Sequence, residues 1–579
     1  MIRISQLFLC LTALLAVSCR KDDITVLSSD ASSFQVDSTP IDVPSADEDD
    51  IANTEFDRTI MISWTNEGAS VTRGDENGIV SINGGHVTVD NTPYKEKVCY
   101  VLSGTSSDGS FKVYSNNKQA FQLERLSLTN PAGAVINNQG KKRCFVVVGS
   151  GESVLSDASS AEYATTGTED MKAVFFSEGQ LIFSGSGILR INANNAKGKS
   201  ALTSDDYICV AEDGPTVKVS SGASAGHGIR GKDYILLSGG NVEATVAGAM
   251  KKGFSSDSLV VITGGSALIN VSGGTAYDED DQDYSGSAGI KADYGFKMTG
   301  GVVDITNTGK GGKGIRVGGS AEKGKYIHTS EVSGGRLTVK VTGANDTSND
   351  VSAKGIKVGW AVKSGTKAPP TPPGGGGGNP GGMGGESPTY SAMTGDFVVS
   401  GGIVQVTCAS SEAVEIKKTF TISGGEFFAY STGDDAANSV STFTITGGKV
   451  CGISTANDGL DANGNFYIKG GIVYASGKSS PELAIDANTE GGFKLYIEGG
   501  TVVALGGVES GASISLNRKT GSWSPNSWYG VSAGSTSFAF KTPGSGGSGM
   551  YCFGSSTPVV ASGVTPGAYI WSGYGSTSY

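Results

Sequence analysis

Pairs of adjacent glycines recur along most of this 579-residue chain. An apolar residue stands two positions before each pair, and after most pairs apolar or small residues alternate with polar ones. This alternation is typical of β-strands, and glycine supplies the positive φ angles of a sharp turn between them. The pairs begin at Gly84, Gly239, Gly264, Gly300, Gly334, Gly401, Gly424, Gly447, Gly470 and Gly499.

A second element precedes six of these pairs by ten residues. It is a small residue followed by an apolar one, which we call the anchor residue. From Gly401 to Gly470 the pairs fall every 23 residues, and elsewhere the interval is longer, as loops inserted at one corner would produce. The six anchor residues are Ile229, Phe254, Ile290, Val414, Ala437 and Leu460.

A repeat of about 23 residues with short strands and no helical period predicts an all-β fold. We predict a right-handed parallel β-helix, a solenoid in which each coil contributes about three strands. A β-propeller needs about 40–50 residues per blade, and a leucine-rich repeat needs a leucine ladder, which this sequence lacks.

The pattern divides the chain into four parts. We predict a lipoprotein signal peptide at 1–18, an acidic flexible tether at 19–58, a β-helix that binds carbohydrate at 59–520 with a Pro/Gly-rich inserted loop at 363–390, and a C-terminal β cap at 521–579.

The segment Leu15 to Cys19 resembles a bacterial lipobox, so Cys19 is the predicted lipidation site; an ordinary secretory signal is the alternative. Lys21, Asp22 and Asp23 resemble a surface-export signal of Gram-negative lipoproteins. These features predict a lipid-attached protein of the outer membrane that faces outward. The net charge of −12 argues against a nucleic-acid partner, and only three histidines make zinc sites and Ser-His-Asp triads improbable.

The residue after each anchor residue is expected to point outward, because side chains alternate along a strand. Aligned across coils, this outward column is basic in its middle, and we predict that it binds an anionic polymer. The predicted ligand-binding residues are Arg230, Lys291, Arg316 and Lys357. The alternative is a ladder of charges that neutralise one another on a solvated face.

Carboxylates recur close to the anchor residues, and paired carboxylates are typical ligands of Ca²⁺. The predicted metal-binding residues are Asp205, Asp206, Asp233, Asp257, Asp293, Asp458, Asp461 and Asp486. A separate acidic loop from Asp278 to Tyr284 lacks the EF-hand pattern, and we interpret it as a solvated loop or an adventitious Ca²⁺ site.

The motif Ile-x-Gly-Gly-x-Val-x-Val and the segments 228–233, 289–293 and 458–464 resemble a bacterial pectate-lyase-like β-helix family, labelled carbohydrate-binding domain-containing protein. The resemblance covers roughly residues 95–515. It implies calcium-dependent binding of cell-wall polysaccharide, including polygalacturonate, without established catalysis. Where the family has Asp-Gly-Ile, this chain has lysine at Lys252, Lys313 and Lys354.

We therefore predict a monomeric, non-catalytic surface lipoprotein that binds an acidic, uronate-type or cellulose-like polysaccharide. The first alternative is a polysaccharide lyase on the same fold, for which the basic column offers residues of the right type but no catalytic group outside the repeat. The second alternative is a structural or adhesin rod.

Overall fold

The computed structural model describes residues 47–165, 167, 169–279, 283–318, 328–364, 389–478 and 481–579. The predicted signal peptide, Cys19, the tether as far as residue 46 and nearly all of the loop at 363–390 lie outside the described residues.

The described chain is all-β, as the sequence predicts. Its helical segments are the three-residue 3₁₀ turns Asp47–Asp49, Ile51–Asn53 and Trp571–Gly573. None of the helices described is long and apolar enough to span a bilayer.

Each repeat contributes three strands, as the segment from Ile229 to Val246 illustrates. Ile229–Gly231 carries the anchor residue, Tyr234–Leu237 precedes the glycine pair, and Asn241–Val246 follows it. Each strand pairs in parallel with the equivalent strand of the next repeat. We call the three stacks the anchor sheet, the pre-turn ladder and the post-turn ladder. This pairing is consistent with the β-helix that the glycine repeat predicts.

The anchor sheet has 14 strands within the described residues. They are Val80–Asn83, His86–Asp90, Ser110–Tyr114, Ile136–Asn138, Ala173–Ser177, Ser200–Ser204, Ile229–Gly231, Lys252–Ser256, Ala288–Ala292, Lys313–Val317, Lys354–Val358, Val414–Ile416, Ala437–Ser439 and Leu460–Ala462.

Long strands join the other two ladders into one sheet. The pre-turn ladder contains Arg58–Thr65, Val98–Ser106, Gln119–Asn130, Cys144–Val148, Leu181–Gly185, Ile208–Val210, Tyr234–Leu237, Leu259–Ile262, Gly295–Met298, Ser330–Val332, Phe397–Val399, Phe420–Ile422, Phe443–Ile445, Phe466–Ser476, Leu495–Leu505 and Ser513–Ile514. The post-turn ladder contains Glu152–Asp157, Ile188–Ala193, Thr216–Ser221, Asn241–Val246, Ser266–Val271, Val302–Asn307, Arg336–Val341, Ile403–Cys408, Glu426–Ser431 and Lys449–Ser454, with the second halves of the long strands.

The core runs through the middle of the stack. All six anchor residues are at most 3% exposed and belong to one continuous hydrophobic cluster. The phenylalanines Phe397, Phe420, Phe443 and Phe466 stack at the same position of successive repeats. The core is therefore built from equivalent side chains of neighbouring repeats.

The two glycines of a pair have different structural roles. The second glycine has a positive φ, +65° at Gly265 and +72° at Gly425. A Cβ on the first glycine would collide with the preceding repeat, since at Gly264 it would lie 2.2 Å from the carbonyl oxygen of Ser238. The pair at Gly84 differs, because it closes an antiparallel hairpin between Val80–Asn83 and His86–Asp90.

The N-terminal segment corrects one prediction. The sequence predicts a solvated tether through residue 58, whereas residues 47–57 lie against the stack and Arg58 begins the first strand. Asp49 accepts hydrogen bonds from Arg143 Nε at 2.6 Å and from the Tyr207 hydroxyl at 2.5 Å. Two of the acidic residues that suggested solvation, Glu48 and Asp49, are instead neutralised by side chains from later repeats.

Antiparallel elements stand at the C-terminal end and on the sides. The last parallel strand is Ser513–Ile514, and antiparallel pairing starts with Asn517–Trp523, four residues before the predicted cap boundary. The remaining strands outside the ladders are Gly68–Arg73, the hairpin Ala276–Asp278 and Asp283–Ser285, the hairpin Trp360–Ser364 and Thr389–Thr394, and the C-terminal strands Trp528–Ala533, Thr536–Lys541, Gly547–Gly554, Val559–Ser562, Tyr569–Ile570 and Gly575–Ser576.

Candidate functional site

The outward side of the anchor sheet, which we call the anchor face, carries charges in columns. The strand register aligns Arg230 with Ser255, Ser255 with Lys291, Lys291 with Arg316, and Arg316 with Lys357. The four predicted ligand-binding residues therefore share one column. Several members are nearly enclosed, since Ser255 is 4% exposed and Lys357 is 6% exposed.

A second column lies two positions before each anchor residue, and the sequence pattern predicted no function for it. Its members include Lys252, Lys313 and Lys354, which are at most 7% exposed. Strict alternation would direct these side chains into the core together with the anchor residues. The Lys354 side chain instead leaves the core, and its Nζ reaches Glu415 of the first column at 3.1 Å. Lysine recurring at one offset was the available signal, because an unpaired ammonium is unfavourable in an apolar core.

Carboxylates neutralise much of the first column. Arg230 pairs with Asp257 at 2.8 Å, and Lys291 pairs with Asp293 at 2.5 Å. Asp257 and Asp293 were predicted metal ligands, and their neighbours here are cations. This pairing favours the charge-ladder interpretation for these two repeats.

The column changes sign beyond Lys357. Lys354 pairs with Glu412 at 2.7 Å, and Lys417 pairs with Glu415 at 2.8 Å. This buried network separates a basic half of the anchor face, residues 227–358, from an acidic half, residues 412–509. The two halves differ in charge because the same repeat position carries cations in the earlier repeats and anions in the later ones.

The acidic half brings three predicted metal ligands together. Asp458, Asp461 and Asp486 each offer one carboxylate oxygen, and these oxygens lie within 4.8 Å of one another. Among the described residues, none of the three forms an ion pair with lysine or arginine. Asp486 Oδ1 is buried and has no hydrogen-bond partner. An orphaned oxygen beside two further carboxylates fits the oxygen-rich ligand set of Ca²⁺.

The three carboxyl groups of this cluster are buried close together, and the pKa of each is raised. Burial raises the pKa of Asp458 to about 6. Burial, and then the charge of Asp458, raise the pKa of Asp461. Burial and a hydrogen bond with Glu509 raise the pKa of Asp486. A divalent cation would reverse these shifts, because it stabilises the ionised carboxylates.

The remaining predicted metal ligands lie apart from this cluster. Asp205 accepts a hydrogen bond from Lys172, and Asp206 accepts one from the amide of Gln180. Asp233 is exposed. Asp205 does meet Asp170 and Glu178 within 4.8 Å, but Lys172 already supplies positive charge to that group.

A serine, a histidine and an aspartate also meet near the N-terminal end, although the sequence made such a triad improbable. His86 Nδ1 lies 2.9 Å from Ser110 Oγ, and His86 Nε2 lies 3.1 Å from Asp108 Oδ1. The side chain of Asp108 is 70% exposed. Water screens this carboxylate, so it would contribute little to stabilising an imidazolium.

The predicted acidic loop forms a short hairpin, with residues 280–282 outside the described residues. Tyr277 and Tyr284 face each other across it, with ring centroids 5.3 Å apart. Ser285 at its base accepts a hydrogen bond from Arg316 at 2.9 Å. The hairpin therefore contacts the basic half of the anchor face.

Comparison with known proteins locates the similarity in part of the chain. A family model described as carbohydrate-binding domain-containing protein matches residues 83–367, just under half of the chain. Over residues 83–367, this chain resembles that family. The matched segment contains the basic half of the anchor face and ends before the acidic half.

One solved structure is a distant neighbour, described as the polysaccharide lyase-like protein from C. thermocellum in a gadolinium derivative. It is 20% identical, with a TM-score of 0.35, and the alignment covers 45% of this chain and 95% of that chain. Among curated proteins, no match is found.

Proposed function

We propose that this protein binds an acidic polysaccharide lengthwise along the anchor face without cleaving it. The supporting observation is the alignment of Arg230, Lys291 and Arg316 in one column, with Ser255 between the first two, inside the segment that matches the carbohydrate-binding family. Stacked strands lie about 4.8 Å apart, so a chain of sugars along the stack would meet cations repeatedly. Weak contacts with exposed charges gain from this repetition.

The proposal includes a right-handed parallel β-helix as scaffold and Ca²⁺ as its metal. Asp458, Asp461 and Asp486 would hold the ion, and its chemistry is to neutralise carboxylates that otherwise repel one another. This role is structural, because the cluster draws on successive repeats near the C-terminal end of the anchor sheet.

The proposed location is the outer surface of a Gram-negative cell, with Cys19 carrying the lipid. Its support is the lipobox-like sequence alone. The partners are then polysaccharide and membrane, with the protein acting as a monomer.

A lyase of the same scaffold is the second candidate. Arg316 favours it, since β-elimination needs a basic group near an acidic sugar and this guanidinium forms no ion pair within the described residues. Unsaturated uronate products would distinguish a lyase from a binding protein.

Affinity electrophoresis through polygalacturonate and through a neutral glucan tests the proposal. We expect retardation in polygalacturonate only, weakening steeply with salt, because exposed charges are screened within about 8–10 Å at physiological ionic strength. A triple variant, Arg230→Gln, Lys291→Gln and Arg316→Gln, should migrate freely. The matched control removes three cations of the post-turn ladder, by Lys218→Gln, Arg336→Gln and Lys340→Gln, and should remain retarded.

Equal retardation of both multiple variants would contradict binding at the anchor face. Equal retardation of the wild-type protein in both gels would contradict an acidic ligand.

A further inference from the structure

In the basic half of the anchor face, Lys252 and Arg316 form no ion pair with a carboxylate among the described residues. Lys252 is 7% exposed, and its ammonium donates to the carbonyl of Met250. Arg316 is half-buried and donates to the hydroxyl of Ser285 at 2.9 Å. Arg230 and Lys291 in the same half are both ion-paired. Lys252 and Arg316 therefore differ from these two residues, whose charges carboxylates neutralise.

A small residue, Ala288, stands beside Lys252 in the anchor sheet. The register places Ala288 between Lys252 and Lys313 in one column, while Arg316 follows Lys291 in the neighbouring column. Ala288 is 1% exposed, so a buried methyl group occupies the position that carries lysine in the repeats before and after it. The two columns therefore place cations around a position that has no charged side chain.

The cations act on one another. Burial lowers the pKa of Lys252 well below its usual range, and the charges of Lys291 and then Arg316 lower it further. Asp278 of the neighbouring hairpin has the opposite effect, which is smaller than that of either cation. Positive charge held out of water without a partner is unfavourable, and an anion would relieve it.

We propose that Lys252 and Arg316, with Lys291 beside them, form a subsite for one anionic group of an acidic sugar. The subsite rests on the proposed function and narrows it to one position on the anchor face. The guanidinium of Arg316 matches the two oxygens of a carboxylate or a sulfate ester, and Lys252 contributes a second positive charge.

The tyrosine hairpin supplies the second half of the subsite. Tyr277 and Tyr284 are 42% and 39% exposed, and the residue after Tyr284 receives the hydrogen bond from Arg316. An acidic sugar has an apolar ring face and a charged substituent. Aromatic rings beside a guanidinium match both, because sites for such ligands combine aromatic surface with a few placed polar groups.

Stabilisation by sulfate tests the anion subsite without any polysaccharide. Sodium sulfate should raise the melting temperature of the wild-type protein and of Lys340→Met more than sodium chloride of equal ionic strength does. Lys252→Met should lose this difference. In low salt, Lys252→Met should melt higher than wild type, because a buried unpaired charge is removed. Equal sulfate stabilisation of all three proteins overturns the subsite.

Binding of defined polymers identifies the anionic group. We expect Arg316→Gln to bind polygalacturonate about tenfold more weakly, the loss expected for one charged hydrogen-bonding group. Its binding to the methyl-esterified polymer should not change. Tyr277→Ala should weaken binding to both forms. Preference for a sulfated neutral glucan over polygalacturonate would identify a sulfate ester as the ligand group.

The two proposals fail in different ways. Sulfate stabilisation that depends on Lys252, without binding of any polymer, supports the subsite and contradicts the proposed function. Polygalacturonate binding that Lys252→Met and Arg316→Gln leave unchanged supports the proposed function and overturns the subsite.

Discussion

At the scale of single residues, a methyl group added to a glycine can lower stability in two ways. It can strain the backbone, and it can collide with a neighbouring repeat. Gly425 has a φ of +72°, and a Cβ there would lie 2.7 Å from the backbone of Gly401. Gly78 has a similar φ of +63° but open space around it. One position therefore combines backbone strain with a collision, and the other has strain alone.

We expect Gly78→Ala to cost about 1–2 kcal/mol of unfolding free energy from backbone strain. Gly425→Ala should cost at least about 3 kcal/mol, because a collision between repeats is added. Calorimetric melting of both variants measures the difference. Equal melting temperatures would show that the repeats move apart without cost.

The carboxylates of the acidic half predict an unusual pH dependence. Asp458, whose pKa burial raises to about 6, keeps its proton in the folded protein where the unfolded chain has lost it. Stability should therefore fall as pH rises from about 4 to about 6 in the presence of a chelator. Between these pH values, Asp458→Asn should lose roughly 2–3 kcal/mol less unfolding free energy than the wild-type protein does. Asp213→Asn, at an exposed site, should lose as much as the wild-type protein.

Calcium should reverse this behaviour. The ion binds the ionised carboxylates, so its stabilisation should grow as pH rises, reaching about 2.7 kcal/mol at 100 times its Kd. Melting with and without calcium at about pH 5 and about pH 8 measures the effect. A chelator-treated protein that melts like the calcium-loaded one at both pH values would exclude the site.

At the scale of elements, residues 47–57 form a strap over an apolar strip on the outside of the pre-turn ladder. The strip consists of Ala120, Phe145, Ile182, Cys209 and Leu236, all at most 6% exposed. Ile51 and Phe56 of the strap pack against it, and the ring of Phe56 meets that of Phe145 edge-on at 6.3 Å. The strap thus shields an outward apolar surface that the ladder itself leaves uncovered.

Removing the strap's aromatic contact should weaken this cover. Phe56→Ala should cost about 1–2 kcal/mol, because a half-buried ring is lost, and should increase the binding of an apolar dye. Phe493→Ala, the same change at a residue 42% exposed, is the control. A strap that contributes nothing would leave both variants equal in melting temperature and dye fluorescence.

The sequence predicts elements better than it predicts contacts between them. The glycine pairs and anchor residues indicate the strands and their order, because turn geometry and burial impose a local pattern. The strap depends on contacts such as Asp49 with Tyr207, 158 residues apart, which no local pattern encodes. Asp458 and Asp461 could be found because they flank an anchor residue. Lys252 was assigned no role because strict strand alternation would direct its side chain into the core.

At the scale of the whole molecule, the anchor face has a polarity along the stack. Cations predominate in residues 227–358 and carboxylates in residues 412–509, with Lys354 and Glu412 paired at the boundary. In the proposed function, an acidic polymer would contact the first half directly and the second half only with calcium between them. The two halves would therefore respond differently to a chelator.

In the proposed function, lipid attachment at Cys19 holds the whole molecule at the membrane. Cys19→Ala should move the protein from the membrane to the soluble fraction or block its maturation, because the lipid is lost. Fractionation of cells that express the variant measures this, with Cys99→Ala as the control. Unchanged sedimentation of Cys19→Ala with membranes would contradict lipid attachment at that residue.

The strap also determines how a mechanical load enters the molecule. Tension applied to the chain before Asp47 reaches the flank of the stack, near Arg143 and Tyr207, before it reaches the first strand. The ion pairs and apolar contacts of the strap would break one after another, so the force needed at each step would be low. The strap can therefore lengthen the connection by about eleven residues, roughly 35–40 Å of extended chain, while the strands of the stack stay paired.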